Sequence, residues 1–255
     1  MSSSRHLVIT GASSGIGRAI ALRLAGPNTT VSLLARRLPQ LEETAALVSA
    51  AGHSASAYAC DVQDAASIRA AFASAAAANG PIHGLIAAAG IGGSNTPGED
   101  DRFDALVSTN LTGTYRCIRA AEQHLAAGPD PRHVVIIASI LARFGVAGYT
   151  GYCASKAALL GLTRAYALEV ASKNVLVNAI CPGWVDTDMA WDGIDGMASG
   201  MGVSRAEAHR IAMSAVPLGR MGKPEEVAGL VAFLLSKDAA CMTGQGLDPN
   251  GGAWM

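Results

Sequence analysis

Short apolar, β-rich runs alternate with amphipathic stretches along the chain. His6–Thr10, Thr30–Ala35 and Ala55–Cys60 read as strands, and between them Ile16–Ala25, Pro39–Ala51 and the alanine-rich Ala65–Asn79 carry helical spacing. The alternation predicts further buried strands at Ile82–Ala88, Val134–Ser139 and Val175–Ile180, and a helix with an apolar face at Pro224–Leu235. Strands that alternate with helices of this length build right-handed βαβ units. The expected class is therefore α/β: a doubly wound parallel sheet of Rossmann type with helices on both faces. No Pro/Gly/Ser-rich linker, charge run or internal repeat divides residues 1–255, so one domain is expected. The pattern breaks only around 186–216, where Met189, Trp191, Met197, Met201 and Met213 lie among Gly193, Gly196, Gly200 and Gly202. That stretch reads as a mobile flap with adaptable apolar contacts, or as a satellite core under a long loop.

Composition narrows the function class. Half of the 255 residues are apolar and the formal net charge is -1. Neither nucleic acid nor an anionic membrane is favoured by such a balance, which leaves a small molecule as the expected partner. No apolar run approaches the ~20 residues of a membrane span, and Met1–His6 lead into Leu7-Val8-Ile9 with no signal-peptide pattern, so a cytoplasmic protein is expected. The five cysteines (Cys60, Cys117, Cys153, Cys181, Cys241) are widely spaced with no CxxC, and none of the six histidines clusters with another ligand type. Neither a disulfide framework nor a metal site is expected.

Chemistry enters at the first strand-to-helix turn, Thr10-Gly11-Ala12-Ser13-Ser14-Gly15-Ile16-Gly17. Glycines there let the backbone approach a pyrophosphate, and the helix that follows offers free N–H groups. A carboxylate past the second strand would bind the ribose 2'-hydroxyl of NAD, whereas this chain has Arg36-Arg37. Two guanidiniums suit the 2'-phosphate of NADP; the bland alternative is a pair of solvated charges. NADP(H) is favoured over NAD(H). Asp61, after the third strand, is placed to accept from an adenine amino group or to cap the helix beginning near Asp64. Ala87-Ala88-Ala89-Gly90 is a small-residue turn on which a flat ring system can lie.

Three further features carry proton chemistry. Asn110 sits within a helical run, either as surface decoration or as an interruption that holds a water. Ser139 ends a buried strand and faces the ligand crevice at its carboxyl end. Tyr152-Cys153-Ala154-Ser155-Lys156 puts a phenol and an ammonium on one helix face, where the positive charge favours the phenolate.

Taken together, Thr10-Gly11-x-x-x-Gly15-x-Gly17, Asp61, Asn110, Ser139, Tyr152-x-x-x-Lys156 and Cys181-Pro182-Gly183 resemble the short-chain dehydrogenase/reductase family in order and spacing, over essentially the whole chain. Asn178–Gly183 and Pro217-Leu218-Gly219-Arg220 look like its 3-oxoacyl and aromatic-polyketide ketoreductases. The resemblance implies an oxidoreductase in which Ser139 binds the carbonyl oxygen, Tyr152 donates the proton, Lys156 tunes the phenol and Asn110 anchors a water. It implies cofactor contacts from Gly11, Ser13, Ser14, Gly15, Ile16, Gly17, Arg36, Arg37, Asp61, Val62, Ala88, Gly90, Tyr152, Lys156, Pro182, Gly183, Val185 and Thr187. Substrate contacts would come from Ser139, Tyr152, Met189 and Trp191, with 186–216 as a lid and the C-terminal elements in a tetramer interface. Trp254 is expected against another subunit. Ala87, and often Ala88, stand where the family has asparagine, a loss that bears on local rigidity more than on chemistry. Two other readings stay open: an NAD-dependent secondary-alcohol or hydroxyacyl-thioester dehydrogenase, and a dinucleotide-binding regulator or scaffold without turnover.

Overall fold

The structure, a computed structural model, describes residues 5–255. These residues form a seven-stranded sheet, every neighbouring pair parallel. The strands are β1 (Arg5–Thr10), β2 (Thr29–Ala35), β3 (Ser54–Ala59), β4 (Gly84–Ala87), β5 (Arg132–Ile137), β6 (Val175–Ile180) and β7 (Gly246–Leu247), in spatial order β3-β2-β1-β4-β5-β6-β7. The predicted strands are all present, with ends moved by a residue or two.

Period-two alternation divides each central strand between two apolar layers. Leu7 and Ile9 of β1 join Ile86, Val135 and Ile180 under α1 (Gly15–Leu24), α2 (Leu38–Ala50) and α9 (Pro224–Leu234). Val8 joins Leu85, Val134 and Val177 under α3 (Ala65–Asn79), α5 (Thr114–Glu122) and α6 (Thr150–Val170). Near-continuous apolar runs are what a sheet covered on both faces requires. Chain order runs outward from β1 to β3 and then resumes at β4 on β1's other side. The switch point therefore lies between β1 and β4, and the crevice opens at their carboxyl ends.

Two regions depart from the expected pattern. The helical run through Asn110 is divided into α4 (Phe103–Val107), a π turn (Ser108–Gly113) and α5, so Asn110 lies at an interruption, buried. The stretch 186–216 is not an irregular glycine-rich flap. It is a helical pair, α7 (Asp188–Met201) and α8 (Arg205–Ser214), capped by Thr187 and Ser204 and turned at Gly202 with φ of 67°. Ala190, Ile194 and Ala198 fall on one face and meet Ala208, Ala212 and Met213. A Cβ at Gly196 or Gly200 would meet nothing, so the glycines lie where the helix needs no packing. Met213 belongs to this small core.

The C-terminal tail folds onto its own chain. Asn250 Nδ2 donates to the Trp254 carbonyl at 2.9 Å, and the Arg143 guanidinium lies 5.3 Å from the centre of the Trp254 ring. No helix among the described residues is long and apolar enough to cross a membrane.

At the opposite end of the sheet from the crevice, His6, His83 and His133 gather near Arg5 and Arg132. The His6 ring bridges Gly80 O at 2.7 Å and Ser32 Oγ at 2.8 Å, and the His6 N–H donates to His83 Nδ1 at 3.1 Å. Burial first, and the positive charge of Arg5 for His83 and His133, hold these rings below the usual histidine range, His133 at about 4. The unfolded chain therefore binds protons that the folded chain refuses, so the stability they confer is whole above the ordinary value of 6.5 and is lost toward about 4. We expect thermal melts to show a flat Tm from pH 8 to 7 and a fall beginning below pH 6.5. A His133→Gln variant should have a shallower slope between pH 6.5 and 5; an unchanged slope would remove His133 from this account.

Candidate active site

Every functional side chain is delivered by a strand end or the helix beyond it. Tyr152 lies in the first turn of α6, and Lys156 follows one turn later on the same face. Lys156 is buried; its ammonium donates to the Ile137 carbonyl at the end of β5, 2.9 Å away, and lies 5.7 Å from the Tyr152 ring centre. Without a carboxylate bonded to it, burial pulls the ammonium down to about 8. Burial also holds the Tyr152 phenol above its ordinary value, with Ser139 acting in the opposite direction. The expected lowering of the phenol by Lys156 is thus not the dominant effect; burial is.

Ser139 lies two residues past β5 and begins the 3-10 turn Ile140–Ala142, its hydroxyl accepting from Leu141 N–H at 3.1 Å. Ile140 N–H donates to Pro182 O at 2.8 Å, fastening this turn to the end of β6. Asn110 closes the group from the π turn. Its Oδ1 accepts from Ile91 N–H at 2.9 Å, while Nδ2 donates to Ile91 O at 3.0 Å and to Ser155 Oγ at 3.1 Å. Ser155 Oγ in turn donates to Tyr152 O at 2.8 Å. A Cβ on Gly90 would stand 3.1 Å from Asn110 Oδ1 and 3.5 Å from Lys156 Nζ. Asn110, Lys156, Tyr152 and the Gly90 loop therefore meet in one place.

The glycine-rich turn occupies the switch point. Gly11 has φ of 69°, and a Cβ there would stand 2.7 Å from the Ala89 backbone, so a side chain is barred by both conformation and space. Thr10 Oγ1 accepts from Ala89 N–H at 3.2 Å, joining the two loops across the crevice. Ala87 sits buried in the sheet, paired to Thr10 and Ile136. Ser14 precedes α1 without a side-chain capping bond, leaving the helix's first N–H groups turned outward. The Arg37 guanidinium donates to Ser14 Oγ at 3.2 Å and reaches Ser13 Oγ at 3.5 Å, whereas Arg36 is simply exposed. An open helix N-terminus, a loop that admits no Cβ, two serine hydroxyls and two guanidiniums fit a phosphorylated dinucleotide. The site favours NADP(H) over NAD(H).

The remaining predicted residues rim this crevice. Asp61 Oδ1 accepts from Gln63 N–H at 2.9 Å, and it is Asp64, not Asp61, that caps α3. Val62 is buried against Gly113 of the π turn. Gly183 runs against Asn250, Val185 bridges to Gly222, and the Thr187 methyl would lie 3.1 Å from a Cβ on Gly15. Met189 reaches the site: a Cβ on Gly92 would stand 3.0 Å from its Sδ and 4.0 Å from Tyr152 Cε2. Trp191 has partners within the chain. Its Nε1 donates to Asp186 Oδ1 at 2.7 Å, its ring stacks on His209, and the Arg205 guanidinium lies 4.7 Å from the ring centre, binding α7 to α8. Nothing in the sequence marks Asn95, whose partners lie far along the chain.

With this geometry in view, comparison with known proteins decides the family. The family model described as enoyl-(acyl carrier protein) reductase matches residues 11–253. The chain belongs to the short-chain dehydrogenase/reductase family. It is 36% identical over 251 residues to 3-oxoacyl-(acyl-carrier-protein) reductase of Vibrio harveyi, covering 97% of this chain and 96% of that one. It is 35% identical over 252 residues to 2-(S)-hydroxypropyl-CoM dehydrogenase 3 of Xanthobacter autotrophicus, covering 96% and 95%. Among solved structures, a Phe-to-Trp variant of actinorhodin polyketide ketoreductase with NADPH superposes with a TM-score of 0.91 at 35% identity, covering 98% of this chain and 97% of that one. This short-chain dehydrogenase/reductase is accordingly an oxidoreductase.

The buried ammonium has a cost to the fold. Lys156→Met removes a desolvated charge while keeping the volume of the stem, so we expect it to raise stability at pH 7 by about 1–2 kcal/mol and to abolish turnover. Denaturant melts alongside activity assays check this; a variant less stable than the parent would show that the ammonium stabilises the fold.

Proposed function

We propose that this chain is an NADP(H)-dependent ketoreductase that interconverts a ketone and a secondary alcohol, acting on a bulky apolar or 3-oxoacyl-type substrate. The observation that carries the reading is the convergence of Tyr152, Lys156 and Asn110 beside Gly90, with Ser139 acting on the phenol. Bound NADPH would supply the hydride to the carbonyl carbon. The chain's own part is the oxygen and its proton. The Ser139 hydroxyl donates to the carbonyl oxygen and orients it; the Tyr152 phenol then gives its proton to that oxygen as negative charge develops.

A phenol held above its ordinary value is protonated at neutral pH, so the proton that reduction needs is in place, and an ammonium near 8 can pass a proton on. Lys156 would restore the Tyr152 proton, with Asn110 aligning the path between the Gly90 loop and α6. Run in reverse, Tyr152 would be the base, and the same groups serve both directions. The poise of the cofactor sets the direction of turnover, and the oxidative alternative keeps the support of the dehydrogenase relative.

Met189 beside Tyr152 offers an apolar wall, and α7–α8 would form the substrate lid. Phe103, Tyr115 and Leu168 leave apolar surface on α4, α5 and α6, which supports a homotetramer; a cytoplasmic location is part of the same proposal. The relatives include a 2-(S)-hydroxypropyl-CoM dehydrogenase and a 3-oxoacyl-(acyl-carrier-protein) reductase, which supports assigning the choice of substrate to the lid and not to the proton-handling group.

The test is oxidation of NADPH or NADH followed at 340 nm with 3-oxoacyl thioesters, bicyclic ketones and aryl ketones. Activity with NADPH is expected, and Tyr152→Phe should lower kcat by about 10²–10⁴-fold, the usual scale of general acid catalysis. Equal efficiency on acetone-sized and aryl ketones would overturn the bulky-substrate reading. In a second assay, Arg36→Ala with Arg37→Ala should raise the NADPH Kd by about 10–100-fold, as loss of charge-assisted phosphate contacts implies, and leave NADH nearly unchanged. A parent enzyme that prefers NADH would reject the NADP(H) assignment.

A further inference from the structure

Helix α6 carries the reacting phenol at its very start, yet its own sequence provides no cap. The residue before it is Tyr149, which makes no side-chain capping bond. Helix starts of this kind leave N–H groups without partners, and Ser, Thr, Asp or Asn ordinarily satisfies them from the capping position. Here the oxygen comes from Asn95, in the loop after β4. Its Oδ1 accepts from Gly151 N–H at 2.8 Å and from the Thr150 hydroxyl at 3.1 Å. Its own N–H donates to Gly148 O at 2.8 Å. Asn95 is buried, and its remaining donor, Nδ2, gives to Asp101 Oδ1 at 3.0 Å.

Asp101 Oδ1 also accepts from Phe103 N–H at 2.9 Å, at the start of α4. Gly151 packs so closely on α4 that a Cβ there would stand 3.1 Å from Phe103 Cα and 3.1 Å from Leu106 Cδ1. One amide thus joins the loop that floors the crevice, the start of α4 and the first turn of α6, immediately before Tyr152. Upstream in the same loop, Gly92 touches Met189 and Gly90 faces Asn110 and Lys156.

Resting on the ketoreductase reading of this site, we infer that Asn95 is a positioning residue that caps α6 from across the crevice and so sets where the Tyr152 hydroxyl stands. A cap supplied by the same helix would hold Tyr152 relative to α6 alone. A cap supplied by the loop holds it relative to the Gly90 floor, where the reacting carbonyl must lie. The titratable groups facing the phenol are Lys156, Cys153 and Tyr149, and Asn95 adds a neutral amide to the helix start without adding charge.

The experiment compares Asn95→Ala, Asn95→Asp, Asp101→Asn and the exchanged pair Asn95→Asp with Asp101→Asn. The single Asn95→Asp sets two carboxylates against each other, whereas the exchanged pair removes that repulsion: the aspartate accepts from Gly151 and Thr150, and the asparagine turns its Nδ2 to donate to it, with its Oδ1 left to accept from Phe103. We expect Asn95→Ala to lower kcat at least tenfold with little change in KM or in NADPH Kd. The Tyr152 phenol, followed by ultraviolet difference absorbance against Tyr152→Phe, should titrate closer to its ordinary value, because a loosened first turn admits water. The exchanged pair should recover kcat to within threefold of the parent. A folded Asn95→Ala with parental kcat and titration would overturn the inference, as would an exchanged pair that recovers Tm but not kcat. The titration needs no turnover, so a parent enzyme inactive on every ketone would reject the ketoreductase reading while leaving the positioning of Tyr152 measurable.

Discussion

The burial of one ammonium constrains the rest of this structure. Lys156 is held away from water with a backbone carbonyl as its bonded partner, an arrangement that is costly for a point charge and survives only where the surroundings are fixed. The Ile137 carbonyl must be free, so β5 must end there. Gly90 must lack a side chain, since a Cβ would crowd both Asn110 and the ammonium. Asn110 must face Ile91, which needs the helix between α4 and α5 to widen into a π turn. The extra residue in such a turn re-aims a side chain that an unbroken helix would direct elsewhere.

The same crevice depends on the absence of side chains as much as on their presence. Gly11 approaches Ala89 within a distance that no Cβ permits, and Gly92 leaves the space that Met189 fills. Rigid strand ends thus bring backbone close to backbone, and polar groups are inserted only where they have partners. Arg143 shows the same economy on the far side of Ser139: its guanidinium forms two bonds with Asp248 at 2.9 and 2.8 Å, a third with Gly246 O at 2.9 Å, and covers Trp254. The turn carrying Ser139 is thereby anchored to the last strand and to the tail.

Local patterns made most of this fold legible. Buried runs such as Leu7-Val8-Ile9 and Val134–Ile137 can only be covered strands, and glycines after a strand and before a helix mark the switch point. The spacing of Tyr152 and Lys156 was readable because an α-helix places such pairs on one face. What eluded the sequence depends on distant partners. Asn95 looks like an ordinary loop residue until Gly151 is brought to it, and the sense of the Tyr152 shift depends on how deeply the phenol is buried. Helix α7 is masked by its glycines, which signal a flap by composition, yet Gly196 and Gly200 lie on a helix face that nothing packs against. The partners of Trp191 are likewise invisible in the sequence: its indole N–H meets Asp186 and its ring stacks on His209.

That helical pair has a consequence for how specificity can vary. Its core of Ile194, Ala198, Ala208, Ala212 and Met213 is separate from the two layers that cover the sheet. Substitutions on its crevice side can therefore reshape the apolar wall without disturbing the strand ends that hold Ser139 and Lys156. Met189 is the exception, because it lies over Gly92, the glycine that also faces the edge of Tyr152. A flexible thioether suits that position: it can yield to substrates of different shape while the glycine beneath it leaves room for the movement. The catalytic end is held by backbone bonds and buried amides that tolerate little displacement. On the proposed reading, chemistry and selectivity fall to parts of the chain with different packing demands, joined at a single methionine.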